Sequence, residues 1–173
     1  MASAPSGADG EEKENADGPS EFEFLIKKTE NNEWITGMAP GSKLEISQVL
    51  GSGFKLEENL EGFNYDFPMQ NVLLFAAGSG LAPIKSAVES GKLNVDAPGG
   101  GGRSCRLYYG ERTAEDLCYV DKFAEWEEAG FQVVPVLSQP SEEWVGRSGY
   151  IQNALEGSIE IPRNSLVWYE RND

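Results

Sequence analysis

The chain has 173 residues, 39% of them hydrophobic, which is enough for one domain and part of a second. Its 29 acidic and 14 basic residues give a net charge of −15, which argues against nucleic acid and anionic membranes as partners. With no histidine and two cysteines, the composition excludes Ser-His-Asp and Cys-His catalytic centres and argues against a metal site of the structural zinc type.

The sequence pattern contains no recognisable targeting signal or membrane span. No apolar run approaches the roughly 20 residues of a transmembrane helix. Residues 1–20 have no apolar core of a secretory signal and are too acidic for a transit peptide. We therefore expect an intracellular, soluble protein of the cytoplasm or a plastid, in which Cys105 and Cys118 are reduced thiols.

The first 70 residues combine short extended segments with loops. Alternating polar and apolar side chains predict strands, and small acidic residues that cannot bury apolar area predict a flexible segment. The predicted elements are a flexible acidic segment at 7–20, a strand at 21–27, a short helix at 31–38, a strand at 43–47, a turn at 51–54 and an acidic connector at 55–70.

The stretch 71–83 is the most informative part of the chain. It begins as an apolar strand, continues through the turn Gly78-Ser79-Gly80, and leads into residues 84–90, whose apolar spacing predicts a helix. A strand, a glycine turn and a helix together present backbone N–H groups to a phosphate, and the helix start adds partial positive charge. The segment therefore predicts a dinucleotide-binding α/β protein.

From residue 71 onward, strands and helices alternate at the spacing of a parallel sheet. Pro135 interrupts one apolar run, which predicts a strand end or a bulge at that position. The further predicted elements are a surface loop at 97–103, a strand at 105–113, a helix at 114–129 that carries Cys118 as a core residue, a strand at 131–137, a short helix at 150–155 and a strand at 165–169.

Four motifs now follow one another in a fixed order. They are Gly78-Ser79-Gly80-Leu81-Ala82-Pro83, Tyr108-Tyr109-Gly110-Glu111-Arg112-Thr113 with Asp116-Leu117, Leu137-Ser138-Gln139-Pro140, and Trp144 with Gly149-Tyr150-Ile151-Gln152. This series resembles the nicotinamide-nucleotide domain of the ferredoxin–NADP reductase superfamily. Over about residues 21–168 it is most similar to the fruit-protein-like FAD/NAD(P)-binding oxidoreductases of plants and algae.

The resemblance implies a fold in two parts. Residues 69–173 would form a Rossmann-like α/β domain with a parallel sheet that binds NAD(P)H. Residues 1–68 would be a remnant of the antiparallel β-barrel flavin domain that precedes it in the family. The family's last strand usually leads into Cys-Gly, whereas this chain continues with Glu170-Arg171, so we expect a member truncated at both ends.

The same resemblance assigns the flavin cofactor and argues against its binding here. Met1 to Ser6 resemble the continuation of the family's flavin motif. The glycine-hydroxyl turn that holds the flavin diphosphate in the family would fall at residues 30–33, which contain two carboxylates and no glycine. We therefore expect FAD in the intact family and not in this chain.

The resemblance also assigns the nucleotide site. The residues implied to bind the cofactor are Gly78, Ser79, Gly80, Gly110, Arg112, Ser138 and Gln139. Arg112 is expected to contact phosphate, with an ion pair to Glu111 or Asp116 as the alternative. Gln139, near the adenosine ribose, supplies no cation for a 2′-phosphate and favours NADH over NADPH, unless Arg147 substitutes.

The implied activity is hydride transfer between NAD(P)H and FAD, a step in which the protein binds and orients the cofactors. No catalytic residue is assigned. The implied partners are a dinucleotide and an electron-acceptor protein. A nucleotide-binding module without turnover and a non-functional fragment remain as alternatives.

Overall fold

The computed structural model describes residues 21–48, 50, 56, 60, 70–95, 103–155 and 165–170, of which the last range is described as backbone only. Its centre is a five-stranded parallel sheet of order β4-β3-β2-β1-β5. The strands are β1 (Asn71–Ala77), β2 (Ser104–Glu111), β3 (Phe131–Leu137), β4 (Arg147–Ser148) and β5 (Ser165–Glu170). The helices treated below are α1 (Glu33–Thr36), α2 (Leu81–Glu89) and α3 (Phe123–Glu128). The Rossmann-like parallel sheet is confirmed.

Strand β1 and helix α2 form the predicted strand-turn-helix unit. All residues from Val72 to Ala76 are buried, as expected for a parallel strand with neighbours on both sides. Gly78–Gly80 form one 3₁₀ turn, and α2 begins immediately after it. Pro83 lies in the first turn of α2, where a missing N–H removes no helical hydrogen bond.

The predicted helix 114–129 is wrong in its extent. The chain forms a 3₁₀ turn at Ala114–Asp116, an extended segment, a second 3₁₀ turn at Val120–Lys122, and only then α3. Tyr119 adopts φ 56°, a left-handed conformation that no helix can include. Cys118 therefore lies on the extended segment, half-buried against the core, and not on a helix.

Pro135 lies inside β3, so the expected strand end or bulge is also wrong. The register between β2 and β3 runs without interruption from Cys105 to Glu111. Ser138 N–H donates to the Glu111 backbone carbonyl, and Gly149 N–H donates to the Leu137 carbonyl. Because backbone groups of alternate strand residues point to the same side, the Pro135 nitrogen lies on the β4 side. Among the described residues, β4 pairs only with the two residues after Pro135, so the missing N–H removes no bond from this ladder.

The two faces of the sheet pack into separate apolar clusters. Alternate residues of β1 and β2 face α2 and α3, where Leu107 is fully buried among residues such as Ile84 and Trp126. On the other face, Phe75 and Tyr108 stack with ring centroids 5.1 Å apart. The 3₁₀ turn Ile151–Leu155, predicted as a short helix, covers that face.

The N-terminal segments do not form the predicted strands. Residues 21–29 and 42–48 are described without strand pairing, although the short helix around Trp34 is present as a 3₁₀ turn followed by α1. Alternation alone does not make a strand, because the backbone groups need a neighbouring strand to pair with. The barrel assignment remains a prediction.

Several predicted features lie outside the described residues. They are the acidic segment 7–20, the turn 51–54, most of the connector 55–70 and the loop 97–102. Within the described part of the chain, both cysteines are free thiols, and burial raises the pKa of Cys105 to about 12. In the same part of the chain, every helix is too short or too polar to cross a bilayer.

Candidate functional site

The candidate site lies where the carboxyl ends of β1, β2 and β3 meet. The chain proceeds outward from β1 through β2 and β3 to β4, and then returns to place β5 on the other side of β1. This reversal makes the end of β1 the switch point of the sheet, the position at which open α/β sheets bind ligands. Loops diverge there and leave a crevice above the strand ends.

A cleft of about 500 Å³ occupies this crevice. Its volume is within the range of cofactor-binding pockets. The lining residues are Lys27, Ala77, Gly78, Ser79, Gly110, Glu111, Arg112, Val136, Ser138, Gly149, Tyr150, Ile151 and Gln152. Five of the seven residues assigned by resemblance are among them: Gly78, Ser79, Gly110, Arg112 and Ser138.

The glycine turn forms one wall of the cleft. Gly78 has φ 57°, a left-handed conformation that a residue with Cβ adopts only at a cost. Gly78 and Ser79 line the cleft, whereas Gly80 is buried at the start of α2 and does not. The turn thus brings backbone close to any ligand in the cleft, and its role in phosphate binding remains a prediction.

Gly110 is required by packing against the neighbouring loop. A Cβ at this position would lie 2.5 Å from Ile151 Cγ2, which is well inside van der Waals contact. The glycine therefore allows the 3₁₀ turn Ile151–Leu155 to approach β2 and close one side of the cleft. Its structural role is independent of any ligand.

Arg112 lines the cleft as an exposed residue. The alternative of an ion pair with Glu111 or Asp116 is not found among the described residues. Asp116 instead accepts hydrogen bonds from the Thr113 backbone N–H and hydroxyl, and Glu111 accepts one from Tyr109. This arrangement leaves the Arg112 guanidinium without a carboxylate partner among the described residues.

Gln139 lies next to the cleft and does not line it. Its backbone N–H donates to the Arg112 carbonyl at 2.8 Å, so the loops that follow β2 and β3 are held together. Arg147 is already engaged, because its guanidinium donates to the Ala154 carbonyl at 2.7 Å and lies 5.8 Å from the centre of the Tyr108 ring. A role for Arg147 in place of a cation at Gln139 remains a prediction.

Lys27 and Glu111 line the cleft, although the sequence patterns assigned neither to it. Glu111 stands between Gly110 and Arg112 at the end of β2, and that position was a usable signal. Lys27 lies 51 positions before Gly78, the first residue of the glycine turn, and nothing in its local pattern indicates the cleft. Both residues also line a smaller adjoining cavity of about 130 Å³, together with Cys118 and Asp116.

A hydrogen-bonded chain holds Glu111 in place. The fully buried Tyr109 donates its hydroxyl proton to Glu111 Oε1 at 3.1 Å and accepts the Cys118 backbone N–H at 3.2 Å. Burial raises the pKa of Glu111, and Asp116 adds to this shift, while the Tyr109 hydroxyl and Lys27 oppose it. Burial also raises the pKa of Tyr109, which keeps its hydroxyl protonated as a donor.

Comparison with protein families gives a direct match to this part of the chain. Residues 74–168 match the family described as the oxidoreductase NAD-binding domain. The match contains β2, β3 and β4, the end of β1 from Leu74 and the start of β5. It includes every residue that lines the cleft except Lys27.

Individual relatives agree with that match. The chain is 35% identical over 150 residues to the fruit protein pKIWI502 of Actinidia deliciosa, covering 84% of this chain and 44% of the relative. It is 32% identical over 153 residues to the reductase component of propane 2-monooxygenase from Mycolicibacterium goodii, covering 85% and 40%. The chain therefore spans less than half the length of the curated relatives it matches.

Among solved structures, the cytochrome P450 reductase GcoB of Amycolatopsis is similar in fold and sequence. The two superpose with a TM-score of 0.51 at 28% identity, over 69% of this chain and 33% of the reductase. The shared part again corresponds to a fraction of a longer protein.

Proposed function

Because this chain belongs to the oxidoreductase NAD-binding domain family, we propose that its cleft binds a nicotinamide dinucleotide as the nucleotide half of a flavin-dependent oxidoreductase. One observation carries the proposal: the glycine turn after β1 opens into the cleft at the switch point of a parallel sheet. The diphosphate would lie against Gly78, whose backbone has no side chain between it and the cleft, and against Ser79.

Two cations flank the turn from different elements. Lys27 approaches from the N-terminal segment and Arg112 from the end of β2. Both can donate charge-assisted hydrogen bonds to phosphate oxygens, which offset the repulsion expected from a chain with a net charge of −15. We assign them to the two sides of the diphosphate.

The chemistry of the intact family is hydride transfer between the nicotinamide and a flavin, and the flavin supplies that chemistry when bound. The residues of this chain would bind and orient the nucleotide and would not take part in bond breaking. Relatives described as reductase components of oxygenases favour an electron-accepting protein as the partner of the complete system.

Calorimetric titration with NAD⁺ tests the proposal. We expect Lys27→Gln and Arg112→Gln each to weaken binding about fivefold to tenfold, because each removes one charge-assisted hydrogen bond. Lys28→Gln is the matched control, since it removes the same charge from an exposed neighbouring residue that does not line the cleft. Absence of NAD⁺ binding to the unmodified chain, or equal affinity in all three variants, would refute the proposal.

A nucleotide-binding module without turnover is the second candidate. The observation that favours it is the pair of carboxylates, Glu30 and Glu33, at the turn expected to hold the flavin diphosphate. Both stand in the first turns of short helical segments, where a flavin diphosphate would meet negative charge. Binding of NAD⁺ without flavin distinguishes this candidate from a complete reductase.

A further inference from the structure

The described lining of the cleft contains two cations and one carboxylate. Lys27 and Arg112 suit an anionic ligand, whereas Glu111 opposes it. A carboxylate at the end of β2, beside the turn proposed to hold a diphosphate, repels that diphosphate. Its presence there therefore calls for an explanation.

Glu111 is close to the turn and held there. A Cβ at Gly78 would lie 3.8 Å from Glu111 Oε1, so the carboxylate is the nearest group on the side of Gly78 where a side chain would stand. The same oxygen accepts the Tyr109 hydroxyl, and Tyr109 is fully buried. The carboxylate is thereby kept at the turn and cannot rotate away into solvent without losing that hydrogen bond.

The charged and titratable groups around Glu111 come from three elements. Lys27 faces it from the N-terminal segment, Tyr109 and Arg112 flank it on β2 and the residue that follows, and Asp116 and Cys118 line the adjoining cavity. Lys27 attracts the carboxylate. A diphosphate entering the cleft would therefore both meet the Glu111 charge and compete with it for Lys27.

On the basis of the proposed function, we propose that Glu111 limits the affinity of the cleft for dinucleotide, so that the protonated residue binds it more tightly than the ionised one. Repulsion between two anions in a partly desolvated site is stronger than in water, and neutralising one of them removes it. Such a residue would favour release of the dinucleotide from a site otherwise rich in donors.

Linkage gives this proposal a measurable sign. Burial already raises the pKa of Glu111, and a bound diphosphate would raise it further, so binding must be accompanied by proton uptake. Affinity is then highest at low pH, where the carboxyl group is protonated, and declines as pH rises through the pKa of Glu111. The diphosphate of NAD⁺ does not titrate in this range, which makes NAD⁺ a better probe than NADP⁺.

The experiment is calorimetric titration of NAD⁺ into the chain between about pH 5 and pH 8, in buffers of different ionisation enthalpy. We expect proton uptake and falling affinity with rising pH in the unmodified chain. Glu111→Gln should bind NAD⁺ about fivefold more tightly at the upper end of this range, without proton uptake. Glu115→Gln is the matched control, because this substitution removes the same formal charge from an exposed residue that does not line the cleft.

The outcomes separate this inference from the proposed function. If the unmodified chain does not bind NAD⁺ at any pH, the proposed function fails. If it binds without proton uptake, or if Glu111→Gln binds no better than Glu115→Gln, only the inference fails. The proton-uptake measurement on the unmodified chain decides the question even if Glu111→Gln does not fold.

Discussion

Single residues in this cleft divide into those that shape it and those that bear charge. Gly110 permits the close approach of Ile151, and Gly78 permits a left-handed turn. Glu111 and Arg112 supply charges from the end of β2, and Lys27 supplies one from the distant N-terminal segment. Motifs identify the first group well, because a glycine beside a strand end has few alternative uses, whereas a charged residue far away in sequence carries no such mark.

Specificity for the adenosine ribose can be tested at one residue. Gln139 is exposed and follows the end of β3, where its backbone is bonded to that of Arg112. Replacing it by Arg should raise the affinity for NADP⁺ relative to NAD⁺ about tenfold, because a guanidinium can bind the 2′-phosphate. Titration with both nucleotides measures the ratio, and Gln48→Arg, at an exposed residue of the segment 42–48, controls for the added charge. An unchanged ratio would remove Gln139 from the ribose site.

At the scale of elements, a buried lysine connects the N-terminal segment to the α/β domain. Lys85 of α2 is buried, with its ammonium 2.7 Å from Glu89 and 3.3 Å from Glu23. It also lies 5.1 Å from the centre of the Tyr119 ring, and the left-handed backbone of Tyr119 directs the chain there. Three elements thus meet at one cation, which helps to hold the segment carrying Lys27 against the cleft.

Replacing Lys85 by Met should destabilise the fold by about 1 to 2 kcal/mol, a value reduced because both carboxylates are partly exposed. Burial lowers the pKa of Lys85, but Glu89 and Glu23 outweigh it and the net shift is upward. The stabilisation is therefore complete below the unfolded pKa and is lost as pH rises through the folded one. Chemical denaturation at neutral pH and above about pH 10.5 measures both effects.

Lys122→Met is the control for that experiment. Lys122 forms an exposed ion pair with Glu125, three residues along the chain. Its replacement should leave the free energy of unfolding nearly unchanged, because exposed pairs contribute little. Equal destabilisation by the two substitutions would show that the Lys85 cluster contributes no more than a surface pair.

At the scale of the whole molecule, the described N-terminal segments differ in character from the sheet domain. Residues 21–29 and 42–48 are not paired as strands, and all their large apolar side chains except that of Leu25 are exposed. Exposures of 46% for Phe24 and 64% for Ile46 contrast with the fully buried core of β2. The sheet domain has its own core, whereas these segments contribute little to one.

We therefore expect the purified chain to bind NAD⁺ without retaining a flavin. The reason is the negative charge of Glu30 and Glu33 at the turn expected for the flavin diphosphate. Absorbance in the flavin region after purification, and again after incubation with FAD and desalting, measures retention. A stoichiometric yellow complex would contradict this expectation and favour a complete reductase.

Much of the sheet domain could be predicted from local patterns. Strands β1, β2 and β3, the glycine turn and the helix after it follow from apolar runs and glycine positions, which act over a few residues. The strand predicted at 105–113 is β2, which ends at Glu111. The helix predicted at 114–129 failed because apolar spacing cannot reveal that Tyr119 turns left-handed to reach Lys85. Strand β4 has two residues, too few for any pattern.

The sequence by itself determined the family, the parallel strand-turn-helix architecture and five of the residues that line the cleft. Only the tertiary structure decided that Lys27 belongs to the cleft, that Gly80 and Gln139 stand outside its lining, and that Tyr109 holds Glu111 at the glycine turn. The physical reason is range: propensity and periodicity act between near neighbours in the chain, whereas the charges of a binding site are brought together by packing between distant segments.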